Sequence, residues 1–600
     1  MADIFTSEAE FEAAVVSCLQ DHGWKGGVLR QPTEQGLLDN WAHILYENNK
    51  GDRRLNGCPL TQGEMQQILE QVAKLRTPMR LNGFINGGTI SITRDNPDVS
   101  LYIYDRRDIA SGRSVYQIAE QPIFKASSAR LNDRRGDLTL LINGMPLIHI
   151  ELKRSGVPVS QACNQIEKYA HEGVFTGLFS LVQIFVAMEP AETVYFANPG
   201  KGGDFSLYRF HWADFNNEPI NEWQRVIATL LFIPMAHQLI GFYSVADERD
   251  ATLKVMRSYQ YYAAAAISDR VRRASWDKRG ARGGYVWHTT GSGKTMTSFK
   301  SAQLIADSKD ANKVVFLVDR IELGTQSLDE YRNFANDSTT VQATQDTDVL
   351  RSRLKSDNPA DTLIVTSIQK MSNIHEHDGG MTAADLERVR EKHIVFIVDE
   401  CHRSTFGDMM QTVRRTFPTA MFFGFTGTPI QDENQKKMNT TMDVFGDELH
   451  RYSIADGIRD HNVLAFDPYM VCTYKDKDVR REVALEKARA DSQSMALADP
   501  KKKKVYLHFM NEVPMAGARR PSGGCDKGVE DYVPESQYSG PDGEGSPEHF
   551  RMVLADIVDN WATLSQGGKF HAILATASIP QAITYYRMFR DEVPQLKVTA

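Results

Sequence analysis

The stretch His288-Thr-Thr-Gly-Ser-Gly-Lys-Thr295 constrains the fold more than any other in these 600 residues. It follows an apolar run at 285–287 and opens a helical pattern that begins Met296-Thr-Ser-Phe-Lys. A strand, a glycine loop and a helix in this order turn the backbone N–H groups of Thr290, Gly291, Ser292 and Gly293 toward phosphate. Lys294 is then placed to reach the β- and γ-phosphates of ATP, and the Thr295 hydroxyl to ligate Mg²⁺. His288 stands where Ala or Gly is usual, a departure from the bare pattern.

Such a loop needs a buried strand beneath it, and the chain that follows repeats the unit. Apolar runs at 314–318, 363–366, 394–398, 421–425 and 572–576 alternate with helical stretches. That rhythm predicts an α/β fold with a parallel sheet covered on both faces. The run 394–398 ends in Asp399-Glu400-Cys401-His402, where Asp399 can hold a Mg²⁺ shell and Glu400 can orient an attacking water. The run 421–425 leads into Thr426-Gly-Thr428-Pro429, and Gln260 precedes the phosphate loop at a distance suited to reading adenine.

Taken in this order, the four segments resemble a superfamily 2 helicase or translocase. The resemblance adds Val318-Asp-Arg320 and Val365-Thr-Ser-Ile-Gln-Lys370 as strand-end motifs. It implies that Arg320, Thr366 and Ser367 approach the DNA backbone, and that His402 couples the ATP state to a second motor lobe.

Upstream, residues 137–153 read as a β-hairpin turning near Asn143-Gly144. Leu138, Leu140, Ile142, Ile148, Ile150 and Leu152 make one apolar face. Asp137, Thr139, His149, Glu151 and Lys153 fall on the other, with Leu141 and Leu147 as apolar exceptions. A two-residue loop would mix the faces, whereas a three-residue loop pairs Ile142 with Pro146 and sets Asp137 opposite Glu151. The expectation is therefore a three-residue loop. Two acids so placed, with Lys153 close by, suit Mg²⁺-assisted phosphodiester cleavage; the alternative is a surface ion-pair cluster.

This pattern is similar to the PD-(D/E)xK nuclease core, with Gly136 in place of the proline. Gln165 and Tyr169 match the QxxxY element of some of these nucleases, and their spacing puts both on one helix face. Ser7-Glu-Ala-Glu10 predicts a helix start, with Phe11, Val15, Cys18 and Leu19 inward. Glu12 matches the acid of the family's first helix, in competition with Glu8 and Glu10.

Composition is neutral on partners. Hydrophobic residues make up 42%, charged residues 24%, and the net charge is −8, which still leaves room for a locally basic groove. Cys18, Cys58, Cys163, Cys401, Cys472 and Cys525 form no CxxC pair, in keeping with a reduced, cytoplasmic setting. The N-terminus lacks the pattern of a signal peptide, and the apolar stretch 226–242 is broken by Pro234, His237 and Gln238. It reads as buried helix and turn, with no call for a membrane.

The expected organisation is a PD-(D/E)xK-like nuclease domain at 1–243, a RecA-like motor lobe at 244–455, and the start of a second lobe at 456–600. A mobile insertion is expected near 475–547, where Lys501–Lys504 and a Gly-, Pro- and Ser-rich stretch interrupt the rhythm. Helix 581–589, after the run 572–576, resembles the opening of the second lobe. No match to the later motor motifs follows before Ala600, so a longer natural chain is expected, with slow ATP turnover by these residues alone.

Nuclease first and motor second, with these motifs, the chain is similar to the R subunit of type I restriction–modification enzymes. The resemblance implies pumping of double-stranded DNA and assembly with modification (M) and specificity (S) subunits. S-adenosylmethionine would bind only the M subunit. A stand-alone repair helicase–nuclease, a type III restriction subunit and a DNA remodeller with a structural N-terminal region are the competing readings.

Overall fold

In a computed structural model, the structure describes residues 4–51, 54–94, 98–107, 109, 112–125, 133–276, 283–318, 342–343, 347–374, 381–399, 401, 406–430, 440–466, 476–515, 518–519, 525–529, 532, 547–576 and 579–599. The chain divides into two compact units, Met1–Ala465 and Phe466–Ala600.

In the first unit, helix α1 (Glu8–Asp21) starts at Ser7, whose side chain accepts from the Glu10 N–H. A six-stranded sheet then assembles in chain order from β1 (Val28–Arg30), β2 (Tyr116–Glu120), β3 (Leu138–Ile142), β4 (Met145–Leu152), β5 (Ile184–Glu189) and β6 (Glu192–Ala197). β4 and β5 run parallel, so the chain must cross over between them. Helix α2 (Val159–His171) lies in this crossover, and its Ala162, Cys163 and Ile166 pack with Phe185, Ala187 and Val194. The alternate residues Ile148, Ile150 and Val186 face a larger core that contains Phe11, Val15 and Leu19 of α1. Covering both faces buries every residue of β3 and β4.

The second sheet of this unit has seven strands. They are β7 (Gly284–His288), β8 (Lys313–Val318), β9 (Gln342–Ala343), β10 (Leu363–Ser367), β11 (Ile394–Val398), β12 (Met421–Thr426) and β13 (Glu448–Tyr452). Their spatial order is β9-β10-β8-β11-β12-β7-β13, and every ladder is parallel. Helices α3 (Ser258–Arg272) and α4 (Lys294–Ser308) flank β7 in the chain. Two apolar cores, one holding Phe396 and Phe422 and the other Phe299, Phe316 and Phe423, sandwich the sheet. Parallel strands place their carboxyl ends on one edge, the usual place for a ligand in such sheets. The stretch 226–242 is buried helix and turn, as expected.

The second unit departs from expectation. Residues 476–511 form three helices, Asp476–Ala488, Gln493–Ala498 and Pro500–Asn511, around Ala484, Ala488, Ala496 and Tyr506. The lysine run thus begins a helix: Asp499 accepts from the Lys501 and Lys502 N–H groups, and Pro500 suits the first turn. Most of 518–547 lies outside the described residues.

The run 572–576 is not a strand, and Ile573 is 96% exposed. An apolar run becomes a strand only where a ladder takes up its N–H and C=O groups. Among the described residues the only paired strands of this unit are Ala518–Arg519 and Cys525–Asp526. The expected start of a second lobe therefore contributes no parallel sheet there. Helix Ile579–Glu592 covers the expected 581–589.

Candidate functional site

The phosphate loop leaves the carboxyl end of β7 and enters α4 at Lys294. Gly291 and Gly293 have φ of 83° and 77°, conformations that glycine adopts without a Cβ penalty. A Cβ on Gly293 would also lie 2.8 Å from Gln260 Nε2. Above the loop lies a cavity of about 540 Å³ lined by Gly291, Ser292, Gly293, Lys294 and Thr295 from the loop and Asp399 from the end of β11. Gln260 lines it too, and its side chain already braces the loop. Gln260 Oε1 accepts from the Arg257 N–H at 3.0 Å, and Nε2 donates to the Ser292 carbonyl at 3.2 Å. The outer wall comes from the N-terminal region: Leu207, Tyr208 and Phe210, with the Arg257 guanidinium 4.1 Å from the Phe210 ring centre.

Thr366 and Ser367 end β10 and are buried, and Ser367 Oγ caps the next short helix by accepting from Lys370 N–H. Thr290 is exposed at the loop crest. Arg320, Glu400 and His402 lie outside the described residues.

The hairpin of β3 and β4 corrects the expected loop. Asn143 and Gly144 both have positive φ, 52° and 81°, and Ile142 pairs with Met145, so the turn has two residues. A bulge at Leu147 then shifts the register, giving Leu140 opposite Ile148 and Leu138 opposite Ile150. The bulged residue's carbonyl accepts from the Gln183 N–H at 2.9 Å, so the shift leaves that group paired. Beyond the bulge the register brings Asp137 to Glu151 by a different route from the one expected. Asp137 lies one step beyond the Leu138–Ile150 pair, and Leu152 N–H donates to its Oδ2 at 2.7 Å.

The polar face of the hairpin is interior. Thr139, His149 and Glu151 are 0% exposed, which removes the surface ion-pair alternative. Lys153 Nζ is 4.0 Å from Glu151 Oε1 and 3.5 Å from Glu8 Oε1. Gln165 Nε2 donates to the Tyr169 hydroxyl, which donates to the Arg135 carbonyl, each at 2.8 Å. Glu12 of α1 is buried nearby, its Oε2 accepting from Gln121 Nε2 at 2.9 Å.

Comparison with known proteins follows the same division. Residues 5–203 match the family model for the type I restriction enzyme R protein N terminus, and 259–504 match that for the SWI2/SNF2 ATPase. The SsaAORF53P endonuclease subunit of a type I restriction enzyme from Staphylococcus saprophyticus is 35% identical over 516 residues, covering 84% of this chain and 52% of that protein. The EcoprrI endonuclease subunit from Escherichia coli is 32% identical over 302 residues, covering 48% of this chain and 89% of that protein. The chain belongs to the type I restriction endonuclease subunit family. It spans about half the length of the Staphylococcus relative.

In this chain, the electrostatics of the acid site explain which groups fit a cation. Burial first, and then the Glu151 charge, pushes Asp137 up to about 8; burial, partly offset by Lys153, pushes Glu151 up to about 8. Burial likewise raises Glu12 to about 7. Glu151 Oε1 and Glu12 Oε1 are buried without a hydrogen-bond partner. No group of three or more His, Cys, Asp or Glu among the described residues is placed as a ready metal cage. Mg²⁺ does not need one, because it is usually held by one or two carboxylates with water and substrate phosphate. The Asp137–Glu151 pair, with its bare oxygen, fits that ion.

Two residues of the acid site had no role assigned from the sequence. His149 Nε2 lies 3.2 Å from Glu151 Oε2, and its Nδ1 lies 3.1 Å from Thr139 Oγ1. Its position two residues before Glu151, on the same strand face, was the available signal. Gln121, the partner of Glu12, sits far away in sequence and gave none. Gly136 also acquires a reason: a Cβ there would lie 2.7 Å from Phe124 Cε2 and 2.8 Å from His149 Cε1.

Proposed function

We propose that this chain is the ATP-driven DNA translocase and Mg²⁺-dependent endonuclease part of a type I restriction–modification complex. In this reading it cuts unmodified double-stranded DNA away from the recognition site. The observation that carries it is one compact unit holding both a glycine-rich phosphate cavity and a buried Asp137–Glu151–Lys153 cluster.

In this reading residues 1–243 are the nuclease domain and 244–455 the first motor lobe. The loop N–H groups and Lys294 bind the ATP phosphates, Gln260 reads adenine, and Thr295 and Asp399 hold the nucleotide's Mg²⁺. Glu400 orients the attacking water, while His402 couples nucleotide state to the rest of the motor. Arg320, Thr366 and Ser367 follow the DNA backbone. At the nuclease site, Asp137 and Glu151 hold Mg²⁺, which supplies charge neutralisation at the phosphodiester. Lys153 favours the developing negative charge, and Gln165 and Tyr169 brace the strand entering Asp137.

The partners are double-stranded DNA and M and S subunits in the cytoplasm, with S-adenosylmethionine on the M subunit. Among the described residues no helix is long and apolar enough to cross a membrane. The test is cleavage of a long unmodified plasmid with ATP and Mg²⁺, with and without M and S subunits. Cutting that requires all of these is expected; equal cutting without M and S would favour a stand-alone nuclease.

A further inference from the structure

The phosphate loop begins with a histidine where a small residue is usual, and that histidine is fully buried. His288 Nε2 lies 3.1 Å from Nδ1 of His450 on β13, and His450 Nε2 lies 3.1 Å from the Phe215 carbonyl. These contacts determine the protons. A carbonyl only accepts, so His450 carries its hydrogen on Nε2 and its Nδ1 is an acceptor. His288 therefore donates from Nε2. Burial holds both rings neutral, pushing His450 down to about 4 and His288 well below its usual range. His288 Nδ1 is then a bare acceptor, and it has no hydrogen-bond partner.

Each end of this relay is anchored. On the nucleotide side, the Tyr259 ring meets His288 edge-on at 5.2 Å, and its hydroxyl donates to the Ser292 carbonyl at 2.7 Å. Tyr259 also stacks on Tyr452 at 3.7 Å, and Thr289 N–H donates to the Tyr452 carbonyl at 2.9 Å. On the far side, the Phe215 ring packs against His450 at 5.1 Å. Asn217 Nδ2 donates to the Arg451 carbonyl at 2.8 Å, and Arg459 donates to the Asn217 carbonyl at 2.7 Å. The segment 214–218 follows the six-stranded sheet in the chain, so it is part of the nuclease-bearing region clasped onto the edge strand of the motor sheet.

We propose that His288 and His450 are a positioning pair that ties the phosphate loop to the 214–218 segment, so that nucleotide grip depends on how the nuclease-bearing region is seated. The pair touches no nucleotide itself; it acts through the loop. A lone ring-filling role would need only the shape of His288, whereas the relay needs its Nε2 donor and the Nδ1 acceptor of His450. The inference rests on the reading of the cavity as an ATP site.

The test is titration of the chain with N-methylanthraniloyl-ATP and Mg²⁺, with thermal unfolding of each variant recorded alongside. His288→Leu is expected to weaken binding by roughly tenfold, the size of one buried hydrogen bond. His450→Leu should match it, and the double variant should be no weaker than either alone, as for residues acting as one unit. His288→Gln keeps a donor at the Nε2 position and should bind within about threefold of the wild type. Asn217→Gly suits the positive φ of 65° there and removes only the clasp; it should weaken binding in the same direction.

Glutamine as poor as leucine at 288, wild-type binding by His450→Leu or Asn217→Gly, or additive losses in the double variant would each overturn the relay. Failure of His288→Leu to fold leaves the glutamine and Asn217 variants to decide. Absence of nucleotide binding by the wild-type chain would instead sink the ATP-site reading itself.

Discussion

His149 Nε2 lies 3.2 Å from Glu151 Oε2, with both side chains fully buried. Burial pushes the imidazole down to about 4, so it is neutral. The Thr139 hydroxyl lies against Nδ1 at 3.1 Å, so the ring is held between Thr139 and one Glu151 oxygen, while Oε1 has no hydrogen-bond partner. A partner that orients a ligand is typically worth about 10–100-fold in metal affinity or activity. His149→Phe is therefore expected to raise the Mg²⁺ concentration needed for plasmid cleavage by about that range, with DNA-stimulated ATPase activity of the assembled complex unchanged. Unaltered Mg²⁺ dependence would show that Glu151 orients itself.

Removing the acids separates chemistry from the motor. Asp137→Asn, Glu151→Gln and Lys153→Ala should each abolish cleavage while sparing ATP turnover, read on the same preparations of the complex. Lys294→Ala and Asp399→Ala should do the opposite at the first step, eliminating turnover by removing charge that no neighbour replaces. Cleavage should vanish with it. Cutting by the Lys294 variant without ATP would uncouple the two sites.

The same two acids make metal-free stability fall with pH. Asp137 and Glu151 titrate near about 8 in the folded chain, against about 4 when unfolded. Between those values the folded chain binds more protons than the unfolded chain, so stability declines as pH rises through the window. Asp137→Asn should stabilise the metal-free chain at pH 8 by roughly 1–3 kcal/mol. It should also flatten the pH slope of thermal unfolding, and Mg²⁺ should stabilise the wild type more than this variant. A wild-type slope of opposite sign would refute the assignment.

The pair Glu64–Arg94 carries the reverse sign. The Arg94 guanidinium, donating to Glu64 Oε2 at 2.9 Å, holds Glu64 down to about 2, and the Thr61 N–H adds to this. Its stabilisation is present above the unfolded value of about 4 and is lost as pH falls toward 2. Glu64→Gln should cost about 1–3 kcal/mol at pH 7, measured by chemical unfolding. It should cost almost nothing near pH 2.

Restoring the nuclease family's proline should harm this chain. A Cβ at position 136 meets the Phe124 and His149 rings at under 3 Å, and both rings are packed among further aromatics. Gly136→Pro is expected to destabilise by about 1–3 kcal/mol, as overpacking does, and to weaken Mg²⁺-dependent cleavage through His149. A neutral substitution would mean that the rings yield.

What the sequence determined by itself is local and periodic. The phosphate loop, Asp399 at a strand end and Gln165 with Tyr169 at helical spacing are set by near neighbours. Five of the six motor strands read from apolar runs are strands, because a buried parallel strand is apolar on both faces. Pattern alone failed where pairing decides. The run 572–576 has the composition of a strand but joins no sheet among the described residues, and the lysine run became helical because Asp499 and Pro500 start a helix there.

Only tertiary structure decided the rest. Apolar parity required Asp137 to meet Glu151, but whether the turn or the strand absorbed the odd residue depended on Gln183 taking the carbonyl of bulged Leu147. The burial of Glu151 came from α2 and the aromatic rings packed over its face, which no period in β4 records. The contacts of His288 with His450, and of His450 with Phe215, join positions far apart in the chain, and a hydrogen bond between distant residues leaves no trace in local spacing.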